Sequence, residues 1–220
     1  MQTPRPPWNK GSAVGQKKPL NPKQVRAIAH YLSTTEQHRN TALFMLAVDT
    51  MFRSVDLLKL RVSTVTDKFG IAQEQFAILQ QKTGRPVVAR LEQATIKALQ
   101  RWVDVTQKSQ SDYIFTGLTP ATKHKPITTS HYRTLIKSWV DYIGLDPAPY
   151  SSHSLRRTKA SLVYKATKDP ETVRILLGQA SIATTAVYLG IETNNALEIA
   201  EKVRLFDQPN KEVLPCPHSK

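Results

Sequence analysis

Residues 41–52, TALFMLAVDTMF, limit the fold more than any other stretch of the chain. Their apolar side chains lie on nearly every face of a helical wheel. A helix here has no side to turn toward water, so it must run through the middle of the protein. The remaining elements then have to form a shell around it, and several segments have that character. Asn21-Pro22-Lys23-Gln24 is a helix start, with Asn as N-cap, Pro in the first turn and Gln at the third position. Val25, Ile28, Ala29 and Leu32 follow as one apolar stripe. Ile96, Leu99, Trp102 and Val103 make a second stripe, and Leu135, Ile136, Trp139, Val140 and Ile143 a third that stops at Gly144.

The texture differs between residues 62 and 91. Phe76-Ala77-Ile78-Leu79 and Val87-Val88-Ala89-Arg90-Leu91 are short β-type runs, joined by a hairpin-like connection at 80–86 that contains Gly84 and Pro86. Residues 116–129 carry Lys123, His124 and Lys125 and read as an exposed loop. After residue 152 come three more helical segments. The first holds His153 and Arg156, the second starts at Pro170 and stops at Gly178, and the third carries Tyr188. Ala196, Ile199, Ala200, Val203 and Phe206 mark a last amphipathic helix.

The fold class is therefore α+β, predominantly α-helical with a small antiparallel β-sheet. A chain of 220 residues is long enough to bury a core, and no repeat or boundary interrupts it between Pro19 and Asp207. The expected organisation is a flexible basic arm at 1–18, one domain at 19–207 and a disordered tail at 208–220.

Charge narrows the partners. The formal net charge is +14, and no Asp or Glu precedes Glu36. Such an excess favours a polyanion, with nucleic acid first. An anionic membrane is the weaker alternative, because no basic amphipathic helix with a bulky aromatic face stands out. No apolar run approaches the ~20 residues that span a bilayer, and the N-terminus lacks the apolar core of a signal peptide. Cys216 is the single cysteine, which excludes an internal disulfide and argues against a cysteine-based metal site. A cytoplasmic protein is the simplest expectation.

His153 and Arg156 stand three residues apart, on one face of a helix. An imidazole beside a guanidinium, with a phenol on a following element, can hold a phosphodiester while a tyrosine attacks it. A phosphodiester under attack gathers negative charge on its non-bridging oxygens. Two guanidiniums can clamp those oxygens bidentately without losing charge. Arg53 and Arg156 are the candidates, one from each half of the chain; Arg53 could instead serve structurally, paired with Asp56. Of the seven tyrosines, Tyr164 lies on the His153 helix itself and cannot readily turn back on it. Tyr150, just before that helix, is the competitor to Tyr188.

Four stretches together resemble the catalytic domain of the tyrosine recombinases, the phage integrase family. DTMFRSVDLLKLRVSTV is similar to the family's first arginine box, and LQQKTGRPVVARL to its β-hairpin lysine. HSLRR is similar to its His-x-x-Arg, and LLGQASIATTAVYLGI to the segment that ends in its nucleophilic tyrosine. A lone His-x-x-Arg arises by chance in many helices; four motifs in the family's order and spacing do not. The resemblance implies site-specific recombination of double-stranded DNA. Tyr188 would be the nucleophile, giving a 3′-phosphotyrosyl link and a free 5′-hydroxyl. Lys82 would protonate the departing 5′-oxygen. His153 would accept the tyrosine's proton or hydrogen-bond the phosphate. The phosphotyrosine conserves the bond energy, so no cofactor is implied, neither ATP nor metal.

The chain departs from that pattern in two places. Where the family carries a second histidine, or in some members a tryptophan, nine residues before the tyrosine, this chain has Gln179. An amide can donate a hydrogen bond to phosphate but cannot carry charge or move a proton. Losing one charge-assisted bond costs on the order of 1–3 kcal/mol, roughly tenfold to a hundredfold in rate. The expectation is a slower but competent enzyme, with a DNA-binding regulator or accessory factor that has lost turnover as the alternative. Secondly, about 20 residues precede the first helix, too few for the family's N-terminal core-binding domain. A short, single-domain member is expected, acting as a homo-oligomer on DNA, up to a tetramer in synapsis, with the basic arm or a helper DNA-binding protein completing the clamp. Arg85, Lys123, Lys125, Arg157 and Lys159 are candidate phosphate contacts and equally ordinary surface charges. The last helix either packs on its own domain or reaches a neighbouring protomer.

Overall fold

Helix α1 (Pro22–Thr34) begins on the capping box its sequence specifies. Gln24 N–H donates to Asn21 Oδ1 at 2.9 Å, and Asn21 N–H donates back to Gln24 Oε1 at 2.8 Å. The coordinates are a computed structural model that describes residues 17–189, Val187 by its backbone alone. The arm before residue 17, the helix expected at 196–206 and the tail lie outside the described residues.

The all-apolar segment forms α2 (His38–Thr50), and Leu43, Phe44, Leu46 and Ala47 on it are all buried. Helix α2 ends with Met51 in the left-handed region (φ 55°), which turns the chain sharply into α3 (Ser54–Leu57) and α4 (Val62–Val65). Strands β1 (Gln75–Leu79) and β2 (Pro86–Arg90) pair antiparallel, with Phe76 opposite Ala89 and Ile78 opposite Val87. That register turns Phe76, Val87 and Ala89 into the core and leaves Ala77, Leu79 and Val88 outside. Helices α5 (Gln93–Thr106) and α6 (Thr129–Tyr142) complete the first half, and α2 packs against α1, α5 and β2. Phe44 meets Trp139 of α6 edge to face at 5.6 Å.

The connection at 116–129 is exposed over most of its length, as expected, but is pinned at its ends by a bridge between Thr116 and Pro126 and by buried Ile127. Helix α7 (Ser152–Thr167) packs on α2, far from it in sequence. Helix α8 (Pro170–Leu177) starts on Asp169, which accepts from Glu171 N–H and Thr172 N–H, and stops at Gly178 with φ 58°. Helix α9 (Ile182–Leu189) follows at once. A small second apolar cluster of Met51, Ala160, Val173 and Leu177 joins α7, α8 and α9 to the end of α2, and Tyr188 packs against it. The first arginine segment, the hairpin and the last three helices therefore all meet where α2 ends.

Candidate active site

The left-handed turn at Met51 places buried Phe52 in the core and delivers Arg53, half-buried, at the N-terminus of α3. Arg53 does not pair with Asp56. It donates to the side-chain oxygen of Gln80, the residue that closes β1. Asp56 Oδ1 instead accepts Gln81 N–H at 2.9 Å, tying the hairpin to α3, while its Oδ2 is buried without a hydrogen-bond partner among the described residues. Lys59 Nζ reaches Gln81 Oε1 at 3.0 Å, and Gln81 Nε2 donates to Val55 O at 2.9 Å, further links between the same two segments. The turn thus held carries exposed Lys82.

Arg156 comes from α7 and is 3% exposed. One nitrogen donates to Met51 O, at the end of α2, and another to Leu177 O at 2.8 Å, at the end of α8. Both carbonyls lie where a helix leaves its last acceptors unused, so a cation is favoured there. Leu177 O also accepts Gln80 Nε2 at 2.9 Å. The two arginine-bearing halves of the chain are therefore joined at a single carbonyl. Burial, with Arg53 nearby, brings the Arg156 guanidinium down to about 10, against the opposing pull of Tyr188 and Asp56; it remains charged at neutral pH.

Tyr188, half-buried on α9, has its ring 6.0 Å from the Arg156 guanidinium and 5.6 Å from that of Arg157. Its hydroxyl lies 3.5 Å from the backbone oxygen of His153. Burial pushes the phenol up to about 12, although Arg156, Arg157 and Arg53 all favour the phenolate. His153 sits on the first turn of α7 with its ring reaching solvent. Partial burial, followed by Arg156, Arg53, Arg157 and Lys82, holds its imidazole below the ordinary value, so it is neutral at pH 7. Tyr150, the competing phenol, is buried in the main core.

Gln179 is 6% exposed, and Thr185 Oγ1 donates to its side-chain oxygen at 2.5 Å. That bond turns the amide so that its NH₂ is the end left for a ligand. Its backbone is held as well, since Arg174 Nη1 donates to Gln179 O at 2.7 Å.

The remaining candidates divide. Arg85, Lys123 and Lys125 are exposed, as surface cations should be. Arg157 and Lys159, expected either as phosphate contacts or as ordinary surface charges, are each engaged within the protein. Arg157 is buried, donates to Lys17 O at 2.8 Å and stands over Tyr188. Lys159 forms an ion pair with Asp49, buried on α2, and lies 3.6 Å from Glu92. Asp49 Oδ2 also accepts Glu92 N–H at 2.7 Å, at the start of α5. Gln80 and Thr185 carry much of the site's geometry and were not singled out from sequence. For Gln80 a signal existed. It continues the inward register of Phe76 and Ile78, an amide where an apolar residue belongs. No cluster of three or more His, Cys, Asp or Glu suited to a metal occurs among the described residues, and no described helix is long and apolar enough to cross a membrane.

A mostly helical domain with a two-stranded hairpin among its described residues, in which Arg53, Arg156 and Tyr188 come from segments far apart in sequence, has known counterparts. The family model described as "Phage integrase family" matches residues 18–195, and the chain belongs to that family. Among curated relatives it is 26% identical over 185 residues to tyrosine recombinase XerD of Rickettsia prowazekii, covering 78% of this chain and 58% of that protein. It is 24% identical over 191 residues to XerA of Pyrococcus horikoshii, covering 86% of this chain and 62% of the relative. The chain thus spans less than two thirds of the length of these relatives. Among solved structures, XerA recombinase superposes with a TM-score of 0.67 at 20% identity, over 93% of this chain and 69% of that one. XerH bound to palindromic difH substrate in a post-cleavage complex gives 0.67 at 21% identity, over 85% and 53%. At such identities the likeness is one of fold.

Proposed function

We propose that this chain cuts and rejoins double-stranded DNA at a specific site through a covalent link to Tyr188, with residues 19–207 as the catalytic domain. One observation carries the reading: the Tyr188 phenol lies among Arg156, Arg157 and the first turn of His153, while Arg53 and Lys82 contribute to the same local field. In the forward step a bond forms between Tyr188 Oη and phosphorus, and the bond from phosphorus to the 5′-oxygen breaks. The tyrosine's proton passes to neutral His153, and Lys82 supplies a proton to the departing 5′-oxygen. Arg53 and Arg156 hold the two non-bridging oxygens as their charge grows, and the amide of Gln179 adds a neutral donor. Rejoining is the reverse with a new 5′-hydroxyl, so no external energy source enters.

A phenol near 12 is a poor nucleophile at rest. In this reading, binding of the phosphate and removal of the proton activate it together, which limits idle reactivity. The chain acts as a homo-oligomer on DNA, in the cytoplasm, aided by a helper DNA-binding protein. Exposed Arg85, Lys123 and Lys125 contact backbone phosphates, and binding therefore weakens steeply with salt.

The test is a suicide duplex nicked beside the crossover site. Wild-type protein should be trapped as a covalent adduct and Tyr188→Phe should not; equal adduct from both, or none from either, would sink the proposal. Gln179, an amide at a position the family fills with histidine or in some members tryptophan, favours one second reading, a DNA-binding regulator without turnover. Specific binding with no adduct, restored to cleavage by Gln179→His, would select it.

A further inference from the structure

Gln80 is 1% exposed, and every polar atom of its side chain is engaged. Its oxygen accepts from Arg53 and from Thr83 Oγ1, the latter at 2.9 Å. Its nitrogen donates to Leu177 O at 2.9 Å, beside the bond from Arg156 to the same carbonyl. Its backbone closes the turn that bears Lys82, with Gln80 N–H on Arg85 O at 3.0 Å and Gly84 N–H on Gln80 O at 2.8 Å. One amide thus touches the first arginine, the helix end that the second arginine holds, and a residue of the lysine turn. Its placement is costly unless all those bonds form, since a buried amide left unsatisfied is penalised.

We infer that Gln80 is the positioning residue that aims Arg53 at the scissile phosphate, resting on the strand-cleavage reading above. The reason is geometric. Arg53 leads into a helix of only four residues, Ser54–Leu57, and its side chain is half-exposed. A long, flexible guanidinium in that setting samples many rotamers, and fixing it before substrate arrives removes an entropic cost from the transition state. An amide oxygen suits the task. It takes one N–H of the fork and leaves the other donors for phosphate, whereas a carboxylate would compete with the phosphate for the charge.

The experiment uses the full chain and the nicked suicide duplex, made with either an ordinary phosphodiester or a methylphosphonate at the scissile position. The methylphosphonate lacks the charged oxygen that an arginine neutralises, so any variant whose fault is a misaimed arginine should lose its disadvantage there. We expect Gln80→Met to slow single-turnover adduct formation about tenfold to a hundredfold on the phosphodiester. On the methylphosphonate the gap should close to within roughly threefold, matching Arg53→Ala, with duplex binding unchanged. Equal slowing on both substrates would mark a merely structural loss and overturn the inference, as would no slowing on either. If Gln80→Met fails to melt cooperatively, Gln80→Asn carries the test. It keeps a polar amide but is one methylene too short for Arg53, and it should show the same slowing confined to the phosphodiester; a folded Gln80→Asn that slows both substrates equally, or neither, overturns it. Wild-type protein that forms no adduct would instead end the underlying strand-cleavage reading.

Discussion

Replacing Gly178 by alanine tests how tightly the site is built into the fold. Gly178 ends α8 with φ 58°, in the left-handed region, where an L-residue costs about 1–2 kcal/mol. A Cβ at this position would also overlap Val87 Cγ2 and stand 2.8 Å from Gln80 Nε2. Neither neighbour can step aside, because Val87 is 3% exposed on β2 and Gln80 is 1% exposed. Overpacking of that kind adds about 1–3 kcal/mol, for a total near 2–5 kcal/mol. In a domain of this size each kcal/mol moves Tm by roughly 2–4 °C, so the melt should fall by about 4–20 °C. Cleavage should fall further than stability explains, since the shift strikes Leu177 O and Gln80, which seat Arg156 and Arg53. Thermal and urea unfolding measure the first effect, and adduct formation on protein shown to be folded measures the second. A double variant with Val87→Ala separates the causes. Removing the obstructing methyl should recover the overpacking share, a coupling of about 1 kcal/mol or more between the two sites, and leave the backbone share untouched. If Gly178→Ala unfolds within about 0.5 kcal/mol of wild type, the close approach of α8 to β2 is wrong and so is the geometry built on it.

Two further expectations are independent of that junction. His153 is held below the ordinary histidine value of about 6.5; as a base it is active only when neutral, so cleavage by the free protein should fall as pH drops, with an acid limb below 6.5. His153→Asn should flatten that limb, and a limb above 6.5, or one that persists in the variant, would refute the assignment. Asp49→Ala removes the partner of Lys159 and the acceptor for Glu92 N–H, which should destabilise urea unfolding by about 2–4 kcal/mol while adduct formation by the folded protein stays within threefold; a large loss of cleavage with little loss of stability would mean that Asp49 belongs to the site.

How legible the site was depended on how local each signal is. Asn21 with Gln24, Pro170 and Gly178 marked helix boundaries correctly because a cap or a left-handed residue acts within one turn of chain. The hairpin fell within a residue of its expected strands because side-chain alternation is itself local. Arg53 was a different case. Its nearest carboxylate in sequence, Asp56, was a natural partner, yet the carboxylate went to Gln81 N–H and the arginine to an amide 27 residues away. Nothing in the one-dimensional pattern ranks those two arrangements.

By itself the sequence determined most of the helical spans among the described residues, the hairpin, the strong positive charge and the order of the four motifs, since these rest on periodicity, capping and composition, which neighbouring residues express without knowing the rest of the fold. Val62–Val65, read with the β-type stretch, is helical instead. The tertiary structure alone decided which of those residues meet. It buried Arg157 against Lys17 O, paired partly exposed Lys159 with Asp49, made Leu177 O the junction of two arginine-bearing segments, and held His153 below its ordinary value. Burial and the field from distant charges are sums over the whole folded neighbourhood, and that neighbourhood exists only once α7, α8 and the hairpin have closed around the end of α2.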